Sequence, residues 1–119
     1  MQETKSAPAL YIVRTWVPEE HLEEWDRWHN SVHVPDVAAQ PGVRRARKYR
    51  VPDDNHPGEW TPQYITVYEF DSLADFEAYR DSEAGARLRK DYADQYGNIG
   101  KISRQVVVQS MDFSSDTTS

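Results

Sequence analysis

Residues 25–42 read W-D-R-W-H-N-S-V-H-V-P-D-V-A-A-Q-P-G, and the parsing of this stretch decides the fold. It holds two of the chain's four tryptophans and two of its four histidines. Leu22, Trp25, His29 and Val32 or His33 follow the i, i+3, i+4 spacing. That spacing predicts a helix over residues 19–32 with these side chains inward and Trp28 beside them. Pro18, Glu19 and Glu20 suit its first turn, where the missing proline N–H is harmless and the helix dipole favours acid. Pro35 disfavours helical geometry at Val34 and is expected to end the helix there. Asp36 is then placed to cap a short turn through Ala39, and Pro41-Gly42 closes the connection.

Upstream, residues 10–17 (L-Y-I-V-R-T-W-V) alternate between two largely apolar faces. This predicts a strand in a sheet covered on both sides, one by helices and the other by a second subunit. Downstream, residues 43–51 (V-R-R-A-R-K-Y-R-V) read as a second strand. Its basic residues alternate through a strand of an acidic protein, so a solvated or interface face is expected rather than a nucleic-acid patch. Residues 52–62 form a loop carrying His56 and Trp60, long enough to act as a lid. Residues 63–70 (Q-Y-I-T-V-Y-E-F) give a third strand with Tyr64, Thr66, Tyr68 and Phe70 on one face. Ser72 with Asp75 resembles a capping box opening a helix, whose stripe is Leu73, Phe76 and Tyr79 or Arg80. Ser82 interrupts. A further helix over 83–95 places Ala84, Leu88 and Tyr92 inward, and residues 103–111 form the last strand.

The order strand, helix, strand, strand, helix, strand is the split β-α-β pattern of an α+β, ferredoxin-like domain. An antiparallel sheet would carry helices on one face. The 119 residues suit one domain, expected at 9–112, between a flexible N-terminus (1–8) and a disordered tail (113–119).

Composition removes several functions. There is no cysteine, which excludes disulfides, thiolate nucleophiles and cysteine-based metal centres. The net charge of -6 and pI near 5.1 argue against nucleic acid and anionic lipid as partners. No apolar run approaches a membrane span, and residues 1–9 lack the apolar core of a signal peptide, so a cytoplasmic location is expected. No phosphate loop, dinucleotide fingerprint or nucleophile elbow occurs. The 12% aromatic content suits a pocket for a flat organic ligand.

The candidate chemistry centres on His29 and His33, four residues apart and thus on one helix face. Buried among aromatics, a neutral imidazole is a competent base, and two can take a proton from carbon and return one to oxygen. They can equally be structural, bonding the sheet or the helix end. H-x-x-x-H also spaces two metal or haem ligands, but Asn30 stands where the glutamate of H-E-x-x-H would be, and no metal is assigned. Asp36 is a candidate orienting carboxylate for His33 or, alternatively, a turn cap. Tyr49, Tyr64, Tyr68 and Tyr11 lie on strands, where a phenol can donate to a developing enolate. Trp25 and Trp28 are read as pocket wall or core. Arg14 is placed to bind a carboxylate or phenolate or to sit at a dimer interface.

W-x-x-W-H-N-x-V-H-V-P-D-V followed by P-G-V-x-x-A-R-x-Y, with D-F-E-A-Y-x-x-S-E-A-G in the second half, resembles the EthD-like group of the dimeric α/β-barrel superfamily. The resemblance covers roughly residues 10–110 and is most specific at residues 32–36 and 41–43. It implies a ferredoxin-like protomer and a homodimer whose sheets form a barrel. Members of that superfamily include cofactor-free monooxygenases, polyketide cyclases, dehydratases and isomerases. The resemblance carries His33 over as the histidine of the helix-end motif, whereas His29 departs from the family's usual aromatic. The function expected is a cofactor-independent lyase, dehydratase, isomerase or cyclase. His33 is its acid or base, assisted by His29, Tyr49 and Asp36. Trp25, Trp28, Tyr11, Arg14 and Tyr68 contact a small aromatic or polyketide-like carbonyl compound. A cofactor-free monooxygenase and a non-catalytic ligand-binding protein are the alternatives.

Overall fold

Alternation along the first strand sorts its side chains before any helix is placed. In the computed structural model, which describes residues 7–52 and 60–114, strand β1 (Ala9–Trp16) buries Ala9, Tyr11, Val13 and Thr15 on one face. Leu10, Ile12, Arg14 and Trp16 lie half-buried on the other. The chain continues through α1 (Glu19–Trp28), a π-turn (His29–His33), α2 (Val34–Ala38), β2 (Val43–Arg50), β3 (Tyr64–Phe70), α3 (Leu73–Asp81), α4 (Glu83–Tyr96) and β4 (Lys101–Val108). The strands form one antiparallel sheet in the order β2-β3-β1-β4. The helices cover one face of it, so the domain is α+β and ferredoxin-like, as its element order implied.

The core lies between sheet and helices. Tyr11, Val13, Tyr68 and Phe70 from the central strands pack with Val37 of α2, Phe76 and Tyr79 of α3, and Leu88 of α4. A second cluster joins Val17, Trp25, Tyr92 and Tyr96. Trp25 is fully buried, so its indole N–H needs an internal acceptor; Nε1 donates to the Tyr92 hydroxyl at 3.0 Å.

Local signals account for the connections. The Ser72 hydroxyl accepts from the Asp75 amide at 3.1 Å, satisfying an orphan donor at the start of α3. Ser82 does more than interrupt: its hydroxyl accepts from the Gly85 amide at 2.9 Å and so starts α4. Gly42 holds φ at +86°, and a Cβ there would lie 2.8 Å from Cβ of Asp75. Glycine is therefore required twice over, for the left-handed turn and for the close approach.

Several sequence expectations are corrected. Pro35 does not end the helix. Val34 is helical (φ -62°, ψ -46°), and its N–H reaches back five residues to the His29 carbonyl. A proline ring in an α-helix collides with the carbonyl four residues earlier. The widened turn displaces that carbonyl, and proline at the second position of α2 has no N–H to leave unpaired. Within the turn the Ser31 hydroxyl donates to the Arg27 carbonyl, four residues earlier, at 2.6 Å. Asp36 lies inside α2 and makes no cap hydrogen bond. Gly85, not Ala84, is the buried residue at the start of α4. The last strand begins two residues earlier than its apolar run suggested, because Thr15 pairs with Ile102 and Trp16 with Lys101. The lid expected at 52–62 and His56 within it fall largely on residues outside those described, as do most residues of both expected flexible ends.

Candidate functional site

The π-turn determines which rings meet. In a regular α-helix a residue five positions on is rotated by about 140°, off the face of the first. Widening the turn brings the fifth residue back over it. Trp28 and His33 consequently stack, with centroids 5.1 Å apart and planes at 22°. Trp25 stacks on His29 at 4.4 Å and 18°, and His29 lies 5.7 Å from His33 at 30°. Four rings from one helical segment thus form a continuous ladder with the two imidazoles in the middle.

The two histidines differ in environment. His29 is only 2% exposed. Its Nδ1 is buried with no hydrogen-bond partner among the described residues, a state it shares with Thr66 Oγ1 on β3. Burial, reinforced by Lys48 and by His33, pushes its pKa down to about 3. His33 is half-buried, and burial together with Arg104 pushes it down to about 4 against the opposing pull of Asp36 and Asp91. Both imidazoles are therefore neutral at pH 7, which is the form able to accept a proton.

Both line a small internal cavity walled by the phenol rings of Tyr11, Tyr68, Tyr79 and Tyr92. Its volume is about 20 Å³, room for one water-sized molecule. The pocket expected at the histidines for a flat organic ligand is thus largely filled by tyrosine rings. Burial raises the pKa of Tyr11, Tyr68 and Tyr92, and takes Tyr79 to about 12, so these phenols are neutral donors. His33 also faces a second depression of about 190 Å³ on the outer side, shared with Trp28, Asp36, Asp91 and Asp94. Of the two, only His33 lines both the inner and the outer space.

The remaining candidates are distributed as follows. Tyr11 and Tyr68 line the inner cavity. Trp25 stands behind His29 in the second core cluster and does not line it, while Trp28 lines the outer depression. Asp36 shares that depression with His33, but no hydrogen bond joins them among the described residues. Tyr49 lies apart from the histidines. Its β2 neighbours Ala46 and Lys48 point to the helices, which turns Tyr49 to the opposite face, 49% exposed. Arg14 likewise lies on the helix-free face, where it donates to Gln105 at 3.1 Å.

Sequence reasoning missed Lys48, Tyr79, Tyr92, Arg89 and Arg104. Lys48 crosses from β2 to α1, where its ammonium pairs with Asp26 at 2.7 Å and lies 4.6 Å from the Trp25 ring centre. Arg104 faces the helices because it pairs with buried Val13. The signal was present as a charge between Ile102 and Val106 on one face of β4, but was lost when that strand was framed two residues late. Among the described residues no group of three His, Asp or Glu side chains is gathered as a metal site. No helix there is long and apolar enough to cross a membrane.

Residues 8–109 match a family described as a domain of unknown function, DUF4286. No curated protein matches the sequence significantly. Among solved structures, an EthD family protein of Bacillus halodurans superposes with TM-score 0.67 at 16% identity, covering 87% of this chain and 99% of its own. SnoaB, a cofactor-independent oxygenase from Streptomyces nogalater, superposes with TM-score 0.59 at 14% identity over 90% and 97%. A dimeric protein of ferredoxin-like fold from Bacteroides fragilis superposes with TM-score 0.58 at 15% identity over 89% and 100%. At these identities the likeness is one of fold.

Proposed function

The chain belongs to the DUF4286 family, and from that premise we propose that it is a cofactor-independent enzyme using histidine acid/base catalysis. The substrate class is a small aromatic or polyketide-like carbonyl compound, and the reaction an elimination, hydration, isomerisation or cyclisation. The observation that carries this reading is the placement of His33. It is neutral, stacked on Trp28, and lies between the tyrosine-lined cavity and the outer depression. In this reading the substrate's carbonyl oxygen takes the water-sized inner space, where a neutral phenol, Tyr11 or Tyr68, donates to the developing enolate, and His33 takes the proton from the adjacent carbon. The low basicity of His33 is offset as the reaction proceeds, because the enolate's growing charge stabilises the imidazolium. His29, fully buried, packs against His33 and holds the ring in place. Asp36 supports the imidazolium electrostatically. A homodimer completes the molecule, its two helix-free sheet faces covering each other. The half-buried Leu10, Ile12 and Trp16 on that face support this, as does the dimeric fold neighbour.

The test uses 2-tetralone, an aromatic ketone with acidic α-hydrogens, in deuterated buffer. Exchange faster than in buffer, reduced about a hundredfold in His33→Gln, supports the proposal. Equal exchange by the two proteins removes His33 from the mechanism. Oxygenation is the second reading, favoured by the SnoaB neighbour. There the same base forms a substrate anion that reacts with oxygen, and oxygen consumption distinguishes the two.

A further inference from the structure

Arg89 of α4 and Arg104 of β4 both line the inner cavity beside the histidines. Both also line a depression of about 340 Å³ on its far side, with Tyr11, Phe76 and Arg80. The arginines are thus common to a water-sized space at the histidines and to an adjoining space large enough for a small aromatic ligand. Neither forms an ion pair with a carboxylate among the described residues, although the protein carries 20 acidic side chains to 14 basic ones. Arg89 donates to the Arg80 carbonyl at 2.7 Å, which fixes one end of its guanidinium and leaves further donors on it. The charges of both act on the same two phenols, Tyr11 and Tyr79. Two cations on the helix-facing side of an acidic domain, Arg104 exposed and Arg89 half-buried, both beside a cavity, offer paired donors to an anion entering from solvent.

We propose that Arg89 and Arg104 form an anion seat, and that the substrate of the site described above is an aromatic carboxylate or an equally acidic phenolate or enol. The charged group lies between the guanidinium groups, the ring occupies the depression against Phe76, and the reacting end points past Tyr11 toward the histidines. His29, which lines that inner cavity and whose buried Nδ1 has no hydrogen-bond partner among the described residues, is the polar group nearest to hand for that end. This deepens the acid/base reading and rests on it for the identity of the site. The binding experiment does not depend on turnover, so either can fail alone.

The probes are 2-naphthoate and its neutral analogue 2-naphthamide, titrated calorimetrically into the full chain at pH 7.5. The expected result is naphthoate binding at least about tenfold tighter than the amide, with only naphthoate weakened by added salt. Arg104→Gln and Arg89→Gln each remove the preference without abolishing amide binding, Arg89→Lys retains part of it, and His33→Gln leaves it intact. Equal binding of the two probes by the wild-type protein, or no naphthoate binding up to millimolar concentration, overturns the proposal. So does a preference that survives Arg104→Gln. If that variant only increases self-association, Arg104 serves instead as an inward charge guarding the edge of β4, which also overturns it. Should Arg89→Gln fail to fold, Arg104→Gln and the salt dependence of the wild-type protein decide the matter.

Discussion

The imidazole of His33 lies on the indole of Trp28, five residues earlier, a stacking that a regular α-helix does not permit. Trp28 also contacts the rings of Tyr92 and Tyr96, so it joins His33 to α4 as well as shielding it. Trp28→Ala is expected to expose His33 and raise its pKa from about 4 toward 6.5, by at least about one unit. Proton NMR of the imidazole against pH checks this. An unshifted titration would show that α4 and the sheet, not the indole, keep His33 dry.

Stability is expected to rise with pH across the acid range. Folding lowers the pKa of His29 from 6.5 to about 3, chiefly by burial. Between those values the unfolded chain binds the proton and the folded one does not. The contribution of His29 is therefore complete above pH 6.5 and is lost progressively as pH falls toward 3. From pH 6.5 to 5 it amounts to up to about 2 kcal/mol. Guanidinium unfolding at pH 7.5, 6 and 5 measures the slope, and His29→Phe should flatten it. A midpoint that does not change with pH would contradict the burial of this ring.

Tyr92→Phe leaves the indole N–H of Trp25 without its acceptor in the core. The expected cost is about 1–2 kcal/mol by urea unfolding, with the fold retained. A cost near zero would mean that the indole finds another acceptor.

Gly42→Ala meets both a left-handed φ and a backbone-to-side-chain approach at Asp75. A loss of roughly 2 kcal/mol in thermal or chemical unfolding is expected. The change lies in the α2–β2 turn, so exchange activity with 2-tetralone should persist at temperatures where the variant is folded.

Tyr49→Phe separates the site from the opposite face. This tyrosine lies on the side of the sheet away from the helices, so the substitution should leave turnover within about twofold of wild type. Tyr68→Phe, inside the cavity, should lower it by tenfold or more. Equal effects from the two would argue that the helix-free face takes part in the chemistry.

The fold was legible because its signals are local and periodic. Alternation in residues 10–17 and 63–70, and serines at helix starts, report backbone geometry directly. The end of α1 was misread because Pro35 forbids only the ordinary α-turn, and nothing in single-residue propensities registers the wider one that accommodates it. The site was legible where its members share one helix, as His29 and His33 do. It was illegible where they converge from distant segments. Tyr79, Tyr92, Arg89 and Arg104 meet only after α3 and α4 pack across β1 and β4, and a one- or two-residue error in a strand frame decides which way an arginine points. The face that Tyr49 takes was illegible for the related reason that the face of an edge strand is set by its pairing: β2 has a bulge between Val43 and Arg45.

The π-turn at His29–His33 fits one residue more into the helix than a regular turn would hold. Removing one residue there would restore regular winding and leave α1 and α2 in nearly the same phase, because five residues of the widened turn and four of a regular helix each sweep about one full turn. The side chains flanking the turn would keep their neighbours, and only the rings within 28–33 would be respaced. Chain length at this point thus sets how the rings of the segment are spaced without altering the fold around it. Relatives with and without the extra residue would share the fold and still present different rings to their ligands.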